Sequence, residues 1–272
     1  MHERMTRIVH LSDIQFGVAD RTALAAAKTA VRALAPDCTV VTGDITLAGR
    51  KQEFSEAAAW FADWPSPVAA CPGNDDAPAF ALMQRMTRPF RRHAALGLLT
   101  RWAASDQSAA VASFNSARAA QLRTDWSQGA YSLKQVQAAV DAVSAAAPQG
   151  WRMIACHHPP VTPSGGPLLA RTRRGAAAVH LVRNQAKLVQ LAGHVQAFTV
   201  NRRGEAIFIT APSLASLRAR GRAKGEAVWG FVVLDLKADA ATATLWRYLD
   251  GAFVAAECES LSTQAGPLSR KG

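Results

Sequence analysis

Carboxylate, amide and imidazole side chains, the groups that hold divalent cations, recur at one kind of place along these 272 residues. Asp13 follows the apolar run Ile8 to Leu11, Asp44 follows Thr39 to Thr42 and Gly43, and Asn74 and Asp75 follow Val68 to Cys71. His157 and His158 follow Met153 to Cys156, and His194 follows Leu188 to Ala192 and Gly193. Short aliphatic runs bounded by turn residues read as buried strands, and open α/β sheets gather their ligands at the carboxyl ends of strands. The recurrence predicts a metal site assembled from distant segments. Taken singly, Asp13 and Asp44 read as ordinary strand-end turn residues and His157 as a hydrogen-bonded core histidine; their joint recurrence argues for the site.

The elements that must position these groups alternate strand and helix through the first half of the chain. Asp20 is placed to cap a helix from Arg21 to Ala35 that Pro36 ends, and Phe54, Ala57, Ala58 and Phe61 share one helical face before Pro65. Ser132 with Gln135 forms a capping-box pattern ahead of Val136, Val140 and Val143. Between Pro78 and Ala104, apolar residues from Phe80 to Trp102 mix with arginines, which reads as a helical insertion over the strand ends at about 78–105. After His194 the character is all-β, with strands expected at Ala206–Thr210, Trp229–Leu236 and Ala243–Tyr248, and a loose tail at about 260–272. One domain over residues 1–272 accommodates all of this.

Composition narrows the partners. The start is polar, and no run approaches the roughly 18 apolar residues of a membrane span, so a soluble cytoplasmic protein is expected. Cys38, Cys71, Cys156 and Cys258 form no C-x-x-C pair and read as reduced thiols, mostly in the core. The formal charge of +11 attracts polyanions without specifying which. Arginines cluster from Arg85 to Arg101, at Arg171, Arg173 and Arg174, and from Arg202 to Arg222; a solvated basic surface is the plain reading, and a rim for phosphate esters, nucleic acid or anionic lipid the sharper one. Sparse aromatic interleaving speaks against single-strand stacking. His10 and His180 are expected to do structural or surface work.

In order, the strand-end residues spell Asp13-x-Gln15, Gly43-Asp44, Gly73-Asn74-Asp75, His157-His158 and Gly193-His194-Val195-Gln196. This resembles the calcineurin-like metallophosphoesterases, whose pattern runs D-x-H, G-D, G-N-H-[DE], H and G-H-x-H with similar gaps. Asn115-Ser116-Ala117-Arg118, His157-His158-Pro159-Pro160 and Ala211-Pro212-Ser213 extend the likeness over roughly residues 6–254. It looks closest to the bacterial branch that includes class III cyclic-nucleotide phosphodiesterases. The resemblance implies an α/β fold, a four-layer α/β/β/α sandwich with two mixed β-sheets, and one or two divalent ions (Mn, Mg, Fe or Zn) at one edge. It implies a metal-activated hydroxide attacking phosphorus in line, on a phosphorylated small molecule or a phosphodiester.

Carried onto this sequence, the pattern assigns one metal position to Asp44, Asn74, His157 and His194, all present, with Asp44 bridging. The other position would take Asp13, Asp44 and two histidines, but Gln15 and Gln196 stand where those belong, and Asp75 replaces the usual G-N-H histidine. Asp75, Asn74 and His158 are the expected catalytic groups, and Arg118 and Arg171 the expected substrate contacts. Two readings follow. In one, Asp13, Gln15, Asp44 and Gln196 form an all-oxygen position for hard cations and the protein is a phosphoric ester hydrolase. In the other, the chain binds a phosphorylated ligand, with one cation or none, and turns nothing over. An exposed insertion would instead suit a pyrophosphohydrolase of a lipid-linked UDP-sugar, peripheral at a membrane.

Overall fold

Successive residues of the buried strands point into different cores, and this alternation sets the layers. The computed structural model describes residues 4–118, 127–161, 172–218 and 228–262. In β1 (Thr6–Leu11), β2 (Cys38–Thr42) and β3 (Val68–Cys71), Ile8, Cys38, Val40 and Ala69 face one core while Val9, Leu11, Val41 and Ala70 face another. The first core continues through Ala109 and Val111 of β5 (Ala109–Ser113), Met153 and Ala155 of β6 (Trp151–Ala155) and Val189 and Leu191 of β7 (Leu188–Ala192), so it lies between two sheets. The second holds Ala23, Leu24, Ala27 and Val31 of α1 (Arg21–Leu34) and Ala57 of α2 (Lys51–Phe61). A third joins Ala110, Ala112 and Ile154 to Val136, Val140 and Val143 of α5 (Leu133–Ala146) and to Ala178 and Val182 of α6 (Gly175–Val182). Helix, sheet, sheet and helix are thus stacked in four layers. Truncating a fully buried side chain such as Ile154 or Met153 to alanine costs about 2–5 kcal/mol.

Each sheet has six strands and is mixed. One runs β12-β11-β10-β1-β2-β3, with β10 (Gly230–Leu236), β11 (Ala241–Leu249) and β12 (Ala252–Ser260) antiparallel and β1, β2 and β3 parallel. The other runs β4-β5-β6-β7-β9-β8, parallel from β5 to β9 (Ala206–Thr210) and flanked by β4 (Arg101–Ala103) and β8 (Thr199–Arg203). Five parallel strands, three in one sheet and the neighbours β6 and β7 in the other, run out toward the residues singled out in the sequence.

Local details confirm some expectations and correct others. Asp20 caps α1, its carboxylate accepting from Ala23 N at 2.9 Å, and Ala35 ends it in the left-handed region ahead of Pro36. In α2 the inward face is Glu53, Phe54 and Ala57, while Ala58 is exposed, because Glu53 turns inward to accept from the backbone N–H of Ala48 and Arg50. Ser132 precedes α5 but makes no side-chain cap bond. Residues 78–105 hold two short helices, α3 (Leu82–Thr87) and α4 (Arg91–Ala94), and then β4. Among the described residues no helix is long and apolar enough to cross a membrane.

Candidate metal centre

Backbone strain marks the place where the strands end. Among the described residues ten non-glycine residues have positive φ, and five of them are Asp13, Gln15, Asp44, His194 and Gln196. A left-handed backbone is costly for side chains with a Cβ, and for glutamine it lacks the local compensation open to Asp, Asn or His. Such residues persist only where the surroundings over-determine them, most often at functional sites. Here those surroundings include two glycines whose missing Cβ makes room: a methyl at Gly73 would lie 2.1 Å from Asp44 Oδ1, and one at Gly193 1.7 Å from Ser12 Oγ.

Asp13, Asp44 and His157 are buried, with potential ligand atoms all within 4.8 Å of one another; His157, His158 and His194 form a second such group. His157 Nδ1 donates to Thr42 O at 2.7 Å, across the two sheets, which leaves the lone pair of Nε2 facing Asp44. Nε2 lies 3.3 Å from Asp44 Oδ2 without a hydrogen bond, and Asn74 Oδ1 is likewise buried and unpartnered while its Nδ2 donates to Asp75 Oδ1 at 2.7 Å. Buried polar atoms are rarely left so, and an aligned imidazole nitrogen and amide oxygen beside a carboxylate make a donor set that fits a divalent cation. Asp44 Oδ1 accepts from Asp75 N at 2.8 Å, which fixes the carboxylate.

On the side of the departures the carboxylates and the amide nitrogens meet protein. Gln15 Oε1 accepts from Ser216 Oγ, and Gln15 Nε2 donates to Asp75 Oδ2 at 3.1 Å. Gln196 Nε2 lies 3.3 Å from Asp13 Oδ1, whose partner oxygen accepts from Ser12 Oγ at 2.7 Å and His194 N at 2.9 Å. Arg218 Nη1 approaches Asp75 Oδ2 at 3.4 Å. Both glutamines, expected as oxygen ligands, thus direct an amide N–H toward a carboxylate.

His158, expected as a catalytic group, has both ring nitrogens engaged, Nδ1 with Ser116 Oγ at 3.0 Å and Nε2 with Ser127 O at 2.7 Å. Burial and the neighbouring His194 and His157 hold its pKa well below the usual imidazole range. Arg118 donates to Ala130 O at 3.1 Å. Arg171 lies outside the described residues. His10 is fully buried, held near Thr42 Oγ1 at 2.9 Å and kept neutral by burial, which lowers its pKa to about 3. Ser12 and Ser216 carry no sequence signal as contributors, whereas Ser116 stands in the Asn115-to-Arg118 likeness and Arg218 in the basic cluster from Arg202 to Arg222.

The ionisation pattern follows from crowding. Burial alone would lower the pKa of His157, but the Asp44 and Asp13 carboxylates and the Thr42 carbonyl outweigh it and push it up to about 10. Burial raises Asp44 against the pull of His157, so the pair holds a proton where a cation competes for the same lone pairs. Burial and Asp44 push Asp75 up to about 8, with Arg218 and His157 opposing. A cleft of about 180 Å³ opens beside Asn74 and Asp75, lined also by Leu47, Ala48, Arg85 and Ser127.

Strand-end carboxylate and imidazole groups that could hold a metal ion thus meet where two mixed sheets of an α/β sandwich adjoin. The model of the calcineurin-like phosphoesterase family matches residues 6–198, and the chain belongs to that family, whose members are generally metal-dependent phosphoester hydrolases. Among solved structures it is similar to the purple acid phosphatase PPD1 of yellow lupin (TM-score 0.61, 11% identity, 95% of this chain and 54% of that one). It is also similar to PhoD (0.60, 11%, 94% and 68%) and to GAP50, the anchor in the inner membrane complex of Plasmodium (0.59, 11%, 95% and 89%). At these identities the likeness is one of fold. No curated protein matches the chain by sequence.

Proposed function

We propose that the chain is a metal-dependent phosphoric ester hydrolase working through one cation position, formed by Asp44, Asn74, His157 and His194. The observation that carries this reading is the pair of buried, unpartnered ligand atoms, Asn74 Oδ1 and His157 Nε2, on either side of the Asp44 carboxylate. A cation held there would polarise a phosphoryl oxygen and neutralise the charge that develops during in-line displacement. The rest falls to the chain itself. Asp44 and Asp13 hold the negative field, and Thr42 O keeps His157 in the tautomer that presents Nε2. His158, bonded through both nitrogens, acts as a positioning residue behind His194, with ring centroids 4.5 Å apart. Asp75, whose carboxyl burial and Asp44 push up to about 8 in the cation-free fold, borders the cleft and is placed to give a proton to the leaving oxygen.

The glutamines suit a different task from the one their positions suggest. With Gln15 Oε1 satisfied by Ser216 and the amide nitrogens turned to Asp75 and Asp13, the first metal position, that of Asp13, Gln15 and Gln196, reads as a hydrogen-bonded pocket in which amide N–H groups and Arg218 replace cationic charge. The cleft of about 180 Å³ suits a small phosphodiester or phosphomonoester, in keeping with the cyclic-nucleotide phosphodiesterase-like branch, better than a UDP-sugar carrying acyl chains. The filled first position also favours a second reading, a relative that binds a phosphorylated ligand without turnover.

Elemental analysis after loading with Mn²⁺, Mg²⁺, Ca²⁺ or Zn²⁺, joined to hydrolysis of bis-p-nitrophenyl phosphate and p-nitrophenyl phosphate, separates the two. Hydrolysis with a single bound ion is expected. No turnover of either ester, with one bound ion or none, hands the site to the binding reading.

A further inference from the structure

A cavity of about 560 Å³ lies away from the carboxylates, along residues 84–95. Lys51, Arg88, Arg91 and Arg92 line it with Gln84, Thr87 and Ala95, and no acid takes part. From Ala77 to Ser105 the sequence contains no aspartate or glutamate at all. Among the described residues none of these four cations forms an ion pair.

Beside this basic groove stands an apolar patch. Among the described residues, four of the eight exposed large hydrophobic side chains fall within one short stretch: Phe80, Leu82, Met83 and Met86 are 79%, 61%, 80% and 60% exposed. The 3.6-residue turn explains the arrangement. In α3, Leu82, Met83 and Met86 share one arc, Gln84 and Thr87 with the following Arg88 share the next and face the groove, and Arg85 takes the third. Arg85 is buried, donates to Ala77 O and Pro78 O, and lines the cleft beside Asn74 and Asp75. Arg50 stands 5.1 Å from the Phe80 ring centroid, so a cation borders the patch on that side as well.

We infer that Phe80, Leu82, Met83 and Met86, bordered by Arg50, Lys51, Arg88, Arg91 and Arg92, form a docking surface for a bilayer bearing anionic phospholipid headgroups. Apolar side chains that water cannot satisfy enter the acyl boundary while the arginines and the lysine meet phosphates at headgroup depth. Phe80 is the one aromatic ring among the four apolar side chains of the patch, too little for successive bases to stack on, and the absence of acidic residues disfavours a basic protein partner. Docking through α3 sets the phosphoester cleft, on the other side of the same helix, next to the membrane interface.

Co-sedimentation of the full chain with vesicles tests this without metal or turnover, so its outcome is independent of the reading of the metal centre. Binding is expected to vesicles of phosphatidylcholine mixed with phosphatidylglycerol, to be at least about tenfold weaker with phosphatidylcholine alone, and to fall as salt rises. Met83→Glu with Met86→Glu, and separately Arg88→Glu with Arg91→Glu, should each lower it at least about tenfold while the melting temperature is kept, because these side chains are exposed. No sedimentation with anionic vesicles, equal binding to neutral ones, or wild-type binding by the methionine variant overturns the assignment. So does a dimer that the methionine variant dissolves, or capture by single-stranded DNA that only the arginine variant loses, if vesicles fail to bind.

Discussion

The two halves of the strand-end site sit within a few ångströms of each other and treat their polar atoms in opposite ways. Around Asp44, Asn74 and His157 the fold aligns an imidazole nitrogen and an amide oxygen and then gives neither a protein partner. Around Asp13, Gln15 and Asp75 the side-chain groups are drawn into hydrogen bonds from Ser12, Ser216, Gln196, His194 N and Arg218. A buried unpartnered polar atom costs about 1–3 kcal/mol, and two of them on either side of one carboxylate are atoms that a bound cation would satisfy. The contrast teaches that cation binding and charge compensation have been divided between the halves, which ligand types alone do not reveal.

The largest test of that division is Asp44→Ala. Even outer-shell changes at metal sites lower affinity by about 10- to 100-fold, so loss of the central carboxylate should lower it more than about 100-fold by calorimetry and abolish any ester hydrolysis. Asn74→Ala should follow at about tenfold or more, since it removes one of the two unpartnered atoms and leaves the other. If both substitutions leave affinity at the wild-type value, the first half does not hold the cation.

Titration distinguishes the same halves through stability. His157, raised from 6.5 to about 10, stabilises the cation-free fold fully below 6.5 and ceases to do so as pH rises through about 10. Asp75, raised from 3.8 to about 8, favours the fold while it keeps its proton, so its contribution too shrinks as pH rises through about 8. Between 6.5 and 10 the cation-free protein should therefore lose stability, on the order of 1 kcal/mol per pH unit, relative to a His157→Gln control that cancels the effect of falling net charge. Saturating Mn²⁺, which requires the deprotonated imidazole, should reverse the slope. A cation-free protein that gains stability against the control across this window contradicts the shared-proton account.

Much of this was legible because the strands that carry ligands are apolar, short and followed by glycine or a ligand. Gly43-Asp44, Gly73-Asn74 and Gly193-His194 mark both the turn and its purpose, and Gly73 and Gly193 prove to be close-approach positions. Other strands escaped reading for physical reasons. Ala109–Ser113 is nearly all small residues with little strand preference, Thr199–Arg203 is a polar edge strand, and Ala252–Ser260 is largely exposed. The state of Gln15 was not legible at all. Its oxygen is claimed by Ser216, some two hundred positions later, and no spacing rule joins the two.

Gln15→His with Gln196→His rebuilds the altered half and should add a second bound cation, read by elemental analysis, because imidazole nitrogens would replace amide N–H groups that now turn to Asp75 and Asp13. The smallest effect expected is the sharpest comparison. Gln196→Ala removes a half-exposed side chain whose described contact is a 3.3 Å approach to Asp13, a change on the scale of about 0.5 kcal/mol. Cation affinity should then stay within about threefold of wild type, against the tenfold or greater loss in Asn74→Ala. Equal losses in the two variants would make both amides ligands and erase the distinction between the halves. An unchanged affinity in Gln196→Ala beside a large loss in Asn74→Ala assigns the cation to the side where the fold leaves its polar atoms unpartnered.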